Sequence, residues 1–221
     1  MLEVRDLVVR YGTATALDEV SLDVGPGEMV ALVGANGAGK STLVNTLSGI
    51  VRPSAGVVRL DGRLAQVPEG RQLFASLTVE TNLRLGAWGL ARARRDPARI
   101  YALFPDLVAL RGRPAGSLSG GQQQMVAVGR ALMADPDLLA VDELSLGLAP
   151  MVVRDLAEHL TQLNRERGLA VLLIEQETTL AFSLCSRAYV LEAGRVVASG
   201  PSASLREDPA VVSAYLGGLP G

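Results

Sequence analysis

The sequence predicts an α/β protein with a mostly parallel sheet core, a small antiparallel β subdomain and an inserted helical subdomain. Three observations predict it. Wholly apolar runs at Met29–Val33, Leu138–Val141 and Ala170–Ile174 read as strands buried on both faces. Helical spacing separates them, over Ser41–Ser48, from Gly120 to about Met133 and near Met151–Arg165, and alternating strands and helices imply parallel pairing. The opening stretches Leu2–Val9 and Val20–Val24 instead alternate apolar with polar residues, as half-buried antiparallel strands do.

In chain order, Tyr11-Gly12 turns the chain after the first strand, and Gly49 stops the first helix. A strand is expected at Val57–Leu60, closed by Asp61-Gly62. Helical spacing from about Thr78 to Leu110, carrying Trp88, Tyr101 and Phe104, places the inserted helical subdomain at about residues 78–133. Within it, Arg92, Arg94, Arg95 and Arg99 around Asp96-Pro97 read as a solvated helix face. Another helix after Ile174 and two short strands, Ala188–Leu191 and Val196–Ala198, complete the chain, whose 221 residues suit a single domain over 1–221.

Composition excludes several classes. Hydrophobic residues are 48 % and charged ones 20 %, with mean hydropathy +0.28, which suits a packed core and not disorder. A net charge of -2 disfavours direct nucleic-acid binding. Apolar runs such as Ala170–Ile174 fall far short of a membrane span, and the acidic N-terminus is unlike a signal peptide, so a cytosolic chain is expected. Cys185 is single and reads as a small buried hydrophobe, and His159 as a surface residue. The only lysine is Lys40, against 20 arginines among the 21 basic residues.

That lysine lies in Gly34-Ala35-Asn36-Gly37-Ala38-Gly39-Lys40-Ser41, the GxxxxGK[ST] pattern, after an apolar strand and before a helix. The pattern in that context defines a P-loop NTPase. Backbone N–H groups at Gly34, Asn36, Gly37 and Gly39 and the helix start at Ser41 and Thr42 suit phosphate oxygens, Lys40 reaches the β and γ phosphates, and Ser41 can ligate Mg²⁺. The strand Leu138–Val141 runs into Asp142-Glu143 at the sheet's carboxyl edge, where ligands of open α/β sheets gather. Asp142 would hold Mg²⁺, directly or through water, and Glu143, pointing to the other side, could polarise the water that attacks the γ phosphate. Taken alone, the pair is equally a strand end with two hydrated acids.

Leu118-Ser119-Gly120-Gly121-Gln122 begins a further helix. Ser119 with Gln122 forms a capping box, but two consecutive glycines weaken a helix by about 1 kcal/mol each and point to backbone N–H groups offered to an anion. In these residues the chain resembles the ATP-binding-cassette ATPases, whose LSGGQ signature it matches, and the resemblance covers essentially the whole chain. It implies two cassettes paired head to tail, with each ATP held between Lys40 and Ser41 of one and Ser119, Gly120, Gly121 and Gln122 of the other. It also implies adenine stacking on Tyr11, for which core packing is the equal alternative.

Finer strings are similar to the LivF-type cassettes of branched-chain amino acid importers: Val67-Pro68-Glu69-Gly70-Arg71, Gln123-Gln124-Met125, Ser145-Leu146-Gly147-Leu148-Ala149-Pro150, Glu175-Gln176 and Ala214-Tyr215-Leu216-Gly217. The resemblance puts Glu69, not Gln66, at the glutamine-loop position, joining Ser41 and Asp142 in the metal set. It puts Gln176 at the switch-histidine position, where its amide could donate to the γ phosphate. It implies transmembrane permease partners, contacted around Glu69–Phe74, a second cassette of the same or another kind, indirectly a periplasmic or extracellular solute-binding protein, and a place on the inner face of the membrane. An ordinary turn packed by Leu73 and Phe74 is the other reading of Glu69–Phe74.

The chain departs from the family at Leu144, where proline is usual, at Glu177, where asparagine is usual, and in the short segment between Gly62 and Val67, which suggests a trimmed antiparallel subdomain. The missing histidine and Leu144 leave open a regulatory or weakly active cassette. A soluble, non-transport cassette would call for coiled-coil insertions or basic arms that the sequence does not show, and a P-loop kinase leaves Leu118–Gln122 unexplained.

Overall fold

The computed structural model describes residues 1–91, 94–209 and 211. Arg92 and the string Ala214–Gly217 lie outside the described residues. The alternating N-terminal segments form the antiparallel strands β1 (Leu2–Tyr11) and β2 (Ala14–Val24). The apolar run becomes β3 (Met29–Val33), buried throughout, and β4 (Ala55–Leu60) returns to pair with β1. The small sheet has the order β2-β1-β4.

The main sheet adds β5 (Leu64–Val67), β6 (Leu138–Asp142), β7 (Ala170–Glu175), β8 (Arg187–Glu192) and β9 (Arg195–Pro201), in the order β5-β6-β7-β3-β8-β9. Pairing is parallel from β5 to β8, and β9 folds back antiparallel on β8. The helices are α1 (Lys40–Leu47), α2 (Val79–Gly86), α3 (Ala98–Leu103), α4 (Asp106–Leu110), α5 (Gly120–Leu132), α6 (Pro150–Arg167), α7 (Thr178–Leu184) and α8 (Ser202–Glu207).

Strand alternation divides the apolar residues between two cores. Val30, Leu32, Ala140, Leu172, Ile174 and Leu191 pack with the small sheet and with Leu43 and Val44 of α1. Their neighbours Ala31, Val33, Val141, Leu173 and Val190 face the other way, onto Val126 and Val128 of α5, Leu156 and Leu160 of α6, and Phe182 of α7. Arg187 joins the layers. Its guanidinium donates to Asp23 Oδ2 and to both carboxylate oxygens of Glu28, each at 2.9 Å, and the Glu28 carboxyl is held below its ordinary range by these bonds.

The structure revises several expectations. The segment after Gly62 is short because it enters the main sheet at once, as β5, which no apolar pattern announced. Ala65 and Val67 face the core there, and Gln66 accepts from Ser48 Oγ at 2.8 Å. Among the described residues, the helical stretch from Thr78 to Leu110 is divided into the three short helices α2, α3 and α4. Trp88 is 73 % exposed beneath the Arg95 guanidinium, while Phe104 is buried. Arg94, Arg95 and Arg99 are ties and not only a solvated face. Arg94 and Arg99 both pair with Asp135 at 3.0 Å, and Arg95 Nε donates to the Leu90 carbonyl at 3.0 Å. His159 is half-buried, with its ring 5.0 Å from that of Phe104, so it is not the surface residue expected. Cys185 is buried, and burial pushes its thiol pKa up to about 12, so it behaves as an inert hydrophobe.

The turn between β5 and α2 hangs on Asn82, a fully buried amide. Its Oδ1 accepts from the Phe74 N–H at 2.9 Å, and its Nδ2 donates to the carbonyls of Phe74, Thr78 and Leu77 at 3.0, 3.0 and 3.3 Å. Asn82→Ala strands these buried groups, and a loss of about 2–3 kcal/mol in urea unfolding is expected. A loss below about 0.5 kcal/mol would show that the turn holds without it.

Candidate functional site

The site assembles where β6, β7 and β3 end side by side. Val33 pairs with Glu175, and Asp142 with Ile174, so three loops leave the same edge of the sheet. Two glycines of the first loop are fixed by space. A Cβ on Gly34 would stand 2.4 Å from the Leu191 carbonyl oxygen, and one on Gly39, at φ 108°, 2.9 Å from that of Ala16. Gly39 is also the N-cap of α1, without a side chain over the helix start. Asn36, Gly37 and Ser41 are exposed, and they share with Gly39, Lys40 and Thr42 a cleft of about 560 Å³ that Glu69 and Glu143 also line.

Lys40 is only 6 % exposed. Its ammonium donates to the carbonyls of Gly34 at 2.7 Å and Ala35 at 3.2 Å, and stands 3.8 Å from Glu143 Oε1. Glu143 reaches it through backbone at φ 55°, left-handed and unusual for glutamate, secured by its N–H on the Ile174 carbonyl at 2.9 Å. Leu144 is completely buried beside it, so packing anchors this turn where the family's proline would fix φ.

Asp142 turns the other way, into a hollow of about 410 Å³ shared with Ser41, Asn45, Gln66 and Glu69. Burial, with Glu69 and Glu143 nearby, pushes its pKa up to about 6 against the pull of Lys40, and its buried Oδ1 has no hydrogen-bond partner. Gln176, exposed just beyond β7, lines a third hollow with Ala35, Glu143, Ser145 and Glu175. The structure thus brings together Gly34, Asn36, Gly37, Gly39, Lys40, Ser41, Thr42, Glu69, Asp142, Glu143 and Gln176.

Two groups lie apart. Tyr11 is 52 % exposed at the end of β1, so its ring is not core packing, and it is not among the residues lining the cleft. Ser119 caps α5 through the expected capping box, its Oγ accepting from the Gln122 N–H at 3.4 Å while Gln122 Oε1 accepts from the Ser119 N–H at 3.1 Å. The adjacent glycines also make room for neighbours. A Cβ on Gly121 would lie 2.7 Å from Val152 Cγ1, and one on Gly120 3.3 Å from Arg71 Nη2.

One residue was missed in the sequence. Glu175 is 1 % exposed and accepts from the N–H and Oγ of Ser145 at 3.2 and 3.1 Å, tying β7 to the turn after Glu143. Burial outweighs these bonds and pushes its pKa up to about 7. Its place directly after the apolar run Ala170–Ile174 was the available signal.

A glycine-rich phosphate loop between a parallel strand and a helix, with a lysine and two carboxylates at the same sheet edge, defines a P-loop nucleotide-binding ATPase. The ABC transporter family model matches residues 17–145, and the chain belongs to that family, whose cassettes hydrolyse ATP. It is 44 % identical to the high-affinity branched-chain amino acid transport ATP-binding protein BraG of Pseudomonas aeruginosa, over 99 % of this chain and 100 % of that protein. It is 32 % identical to BraF of the same species, over 98 % of each chain. The methionine import ATP-binding protein MetN of Mesorhizobium japonicum is 38 % identical over 92 % of this chain, which spans 61 % of that longer protein. Among solved structures, the ADP conformation of MJ1267, an ATP-binding cassette of an ABC transporter, superposes with a TM-score of 0.86 at 27 % identity, covering 99 % of both chains.

Glu175 generates a pH prediction. Its folded pKa of about 7 lies above the ordinary 4.5, so the folded chain holds this proton more tightly and stability falls as pH rises through that window. Asp142 adds a loss between 3.8 and about 6. Glu175→Gln, isosteric and uncharged, should leave stability near wild type at about pH 4 and raise it on the order of 2 kcal/mol at about pH 8. Urea unfolding at both pH values checks this, and equal wild-type and variant slopes would refute it.

Proposed function

We propose that the chain is the ATP-hydrolysing, energy-coupling subunit of an ABC importer for branched-chain or other amino acids, working as one of two head-to-tail cassettes beneath a pair of permease subunits. The observation that carries this reading is the buried Lys40 with Glu143 3.8 Å away at the phosphate loop. The full-length similarity to BraG supports the class of cargo. Among the described residues no helix is long and apolar enough to cross a membrane, so attachment to the inner face of the membrane would run through the permease, and a solute-binding protein would act on its far side.

In this reading Lys40 neutralises phosphate charge and holds the loop closed around it. The backbone N–H groups of residues 37–42 at the start of α1 orient the phosphates. Glu143 accepts a proton from the attacking water, and its left-handed turn aims it there. Gln176 donates a hydrogen bond toward the γ phosphate without changing charge, and Ser119–Gln122 of the second cassette close the site from the opposite side. Tyr11, exposed at the end of β1, stacks on the adenine.

The residues present also fit Mg²⁺. Asp142 Oδ1 is buried without a partner, in the hollow that Ser41 and Glu69 share. No cluster of three or more metal-binding side chains occurs among the described residues, so Ser41 and Asp142, with Glu69 beside them, would hold the ion jointly with nucleotide. Bound there, Mg²⁺ supplies charge neutralisation on the phosphates.

Lys40→Ala is expected to weaken ATP binding about a hundredfold or more, because it removes ground-state charge pairing. Glu143→Gln should bind ATP as wild type does yet lose turnover and accumulate as a two-cassette complex. Equilibrium nucleotide binding, steady-state hydrolysis and size-exclusion chromatography distinguish the two. Near wild-type turnover by Glu143→Gln would remove that residue from its role. Copurification of a membrane permease, with loss of amino-acid uptake on deletion, tests the importer assignment.

Gln176→Ala should lower turnover at least tenfold, about 1.4 kcal/mol in the transition state, with ATP affinity nearly unchanged. Gln176→His should restore or exceed wild-type activity. Equal turnover of wild type and Gln176→Ala, measured with the permease present, would show that position 176 does not read the γ phosphate.

A further inference from the structure

Arg71 lies outside the phosphate loop, the carboxylate pair and the Ser119–Gln122 segment, yet it touches the turn that follows the carboxylate pair and the helix that begins with Ser119–Gln122. Its Nε donates to Gln124 Oε1 on α5 at 3.2 Å, and its Nη2 donates to the Leu146 carbonyl at 3.2 Å. A Cβ on Gly120 would stand 3.3 Å from that Nη2, and one on Gly147 3.9 Å, so the guanidinium lies between the start of α5 and the turn after Glu143. Its backbone belongs to the loop that carries Glu69. Arg71 is half-buried, while Phe74 three residues on is 55 % exposed.

The loop is tightly held. Gly70, Arg71 and Gln72 take φ of 71°, 66° and 43°, two of them left-handed without being glycine, a conformation that persists only when neighbours enforce it. Arg130 of α5 enforces it from below, donating Nη1 to the Gln72 carbonyl at 2.8 Å and Nη2 to that of Arg71 at 3.1 Å. Thus α5 grips the loop backbone through Arg130, and the loop grips α5 in return through Arg71. Gln124 is 3 % exposed, so its bond to Arg71 is made away from bulk water.

We infer that Arg71 is a positioning residue that fixes the Ser119–Gln122 end of α5 and the 145–148 turn relative to Glu69, making the surface offered to a partner's nucleotide depend on the chain's own site. The inference rests on the proposed function, since it needs Glu69 beside the nucleotide and Ser119–Gln122 facing a second cassette. Arginine is required because its two donor nitrogens diverge in a rigid fork onto acceptors from separate elements. A lysine ammonium keeps the charge but lacks that geometry.

The test compares wild type, Arg71→Ala, Arg71→Lys and Gln124→Met as full-length chains, by hydrogen exchange, equilibrium ATP binding, melting temperature and steady-state hydrolysis. In all three variants, exchange at residues 119–123 and 145–148 is expected to accelerate at least fivefold. In the two Arg71 variants kcat should fall at least tenfold, with ATP Kd within twofold of wild type. A wild-type kcat in Arg71→Lys would overturn the inference, as would faster exchange confined to residues 68–74. Exchange raised throughout the chain, or Kd weakened in step with kcat, would show a general structural role and overturn it as well. If wild type itself neither binds nor hydrolyses ATP, the proposed function fails, whereas active wild type with unchanged Arg71 variants refutes the positioning role alone.

Discussion

The parallel register of β6, β7 and β3 is the constraint from which the site follows. Backbone pairing of Val33 with Glu175 and of Asp142 with Ile174 ends three strands at one level. A slip of one residue in any strand would exchange its two faces, sending Ala31 and Val33 into the wrong core and Glu143 away from Lys40. The apolar packing on both faces of the sheet therefore holds Lys40 and Glu143 in place, although none of those side chains touches the cleft.

That dependence explains why charge can be placed at such a buried edge. Asp142 and Glu175 are both pushed above the ordinary carboxylate range, chiefly by burial. Each cost is local, and the apolar layers tolerate it because Lys40 stands near Asp142 while Ser145 donates twice to Glu175. The left-handed backbone of Glu143 is a further cost met in the same way, by the buried Leu144 and the bond to Ile174.

The sheet core was legible in the sequence because its strands are wholly apolar and its glycines stand at fixed spacing. Lys40, Asp142 and Glu143 followed from the same patterns. What escaped detection depended on tertiary partners. β5 has only four residues, and it becomes a strand because Gly62 and Arg63 meet Asp137 and set it beside β6. Arg94 and Arg99 looked like part of a solvated face because their shared acceptor, Asp135, is remote in sequence. Glu175 stood just past the expected strand Ala170–Ile174, and nothing local shows that Ser145 donates to it. Gly121 was read for its bare N–H, when Val152 also requires that space.

The unequal use of cations follows from the same physics. Arg71, Arg99, Arg130 and Arg187 each span two or more acceptors, often on different elements, a task suited to a planar fork of separated donors. The phosphate loop sets the opposite requirement. Lys40 must pass between the Gly34 and Ala35 carbonyls and leave its charge facing a cleft whose ligand also carries oxygen. A compact ammonium at the end of a flexible stem can exchange one oxygen partner for another, while a guanidinium held by two carbonyls would have to break both bonds together. The molecule thus uses arginine where parts are to be tied together and keeps its one lysine where a contact must be exchanged.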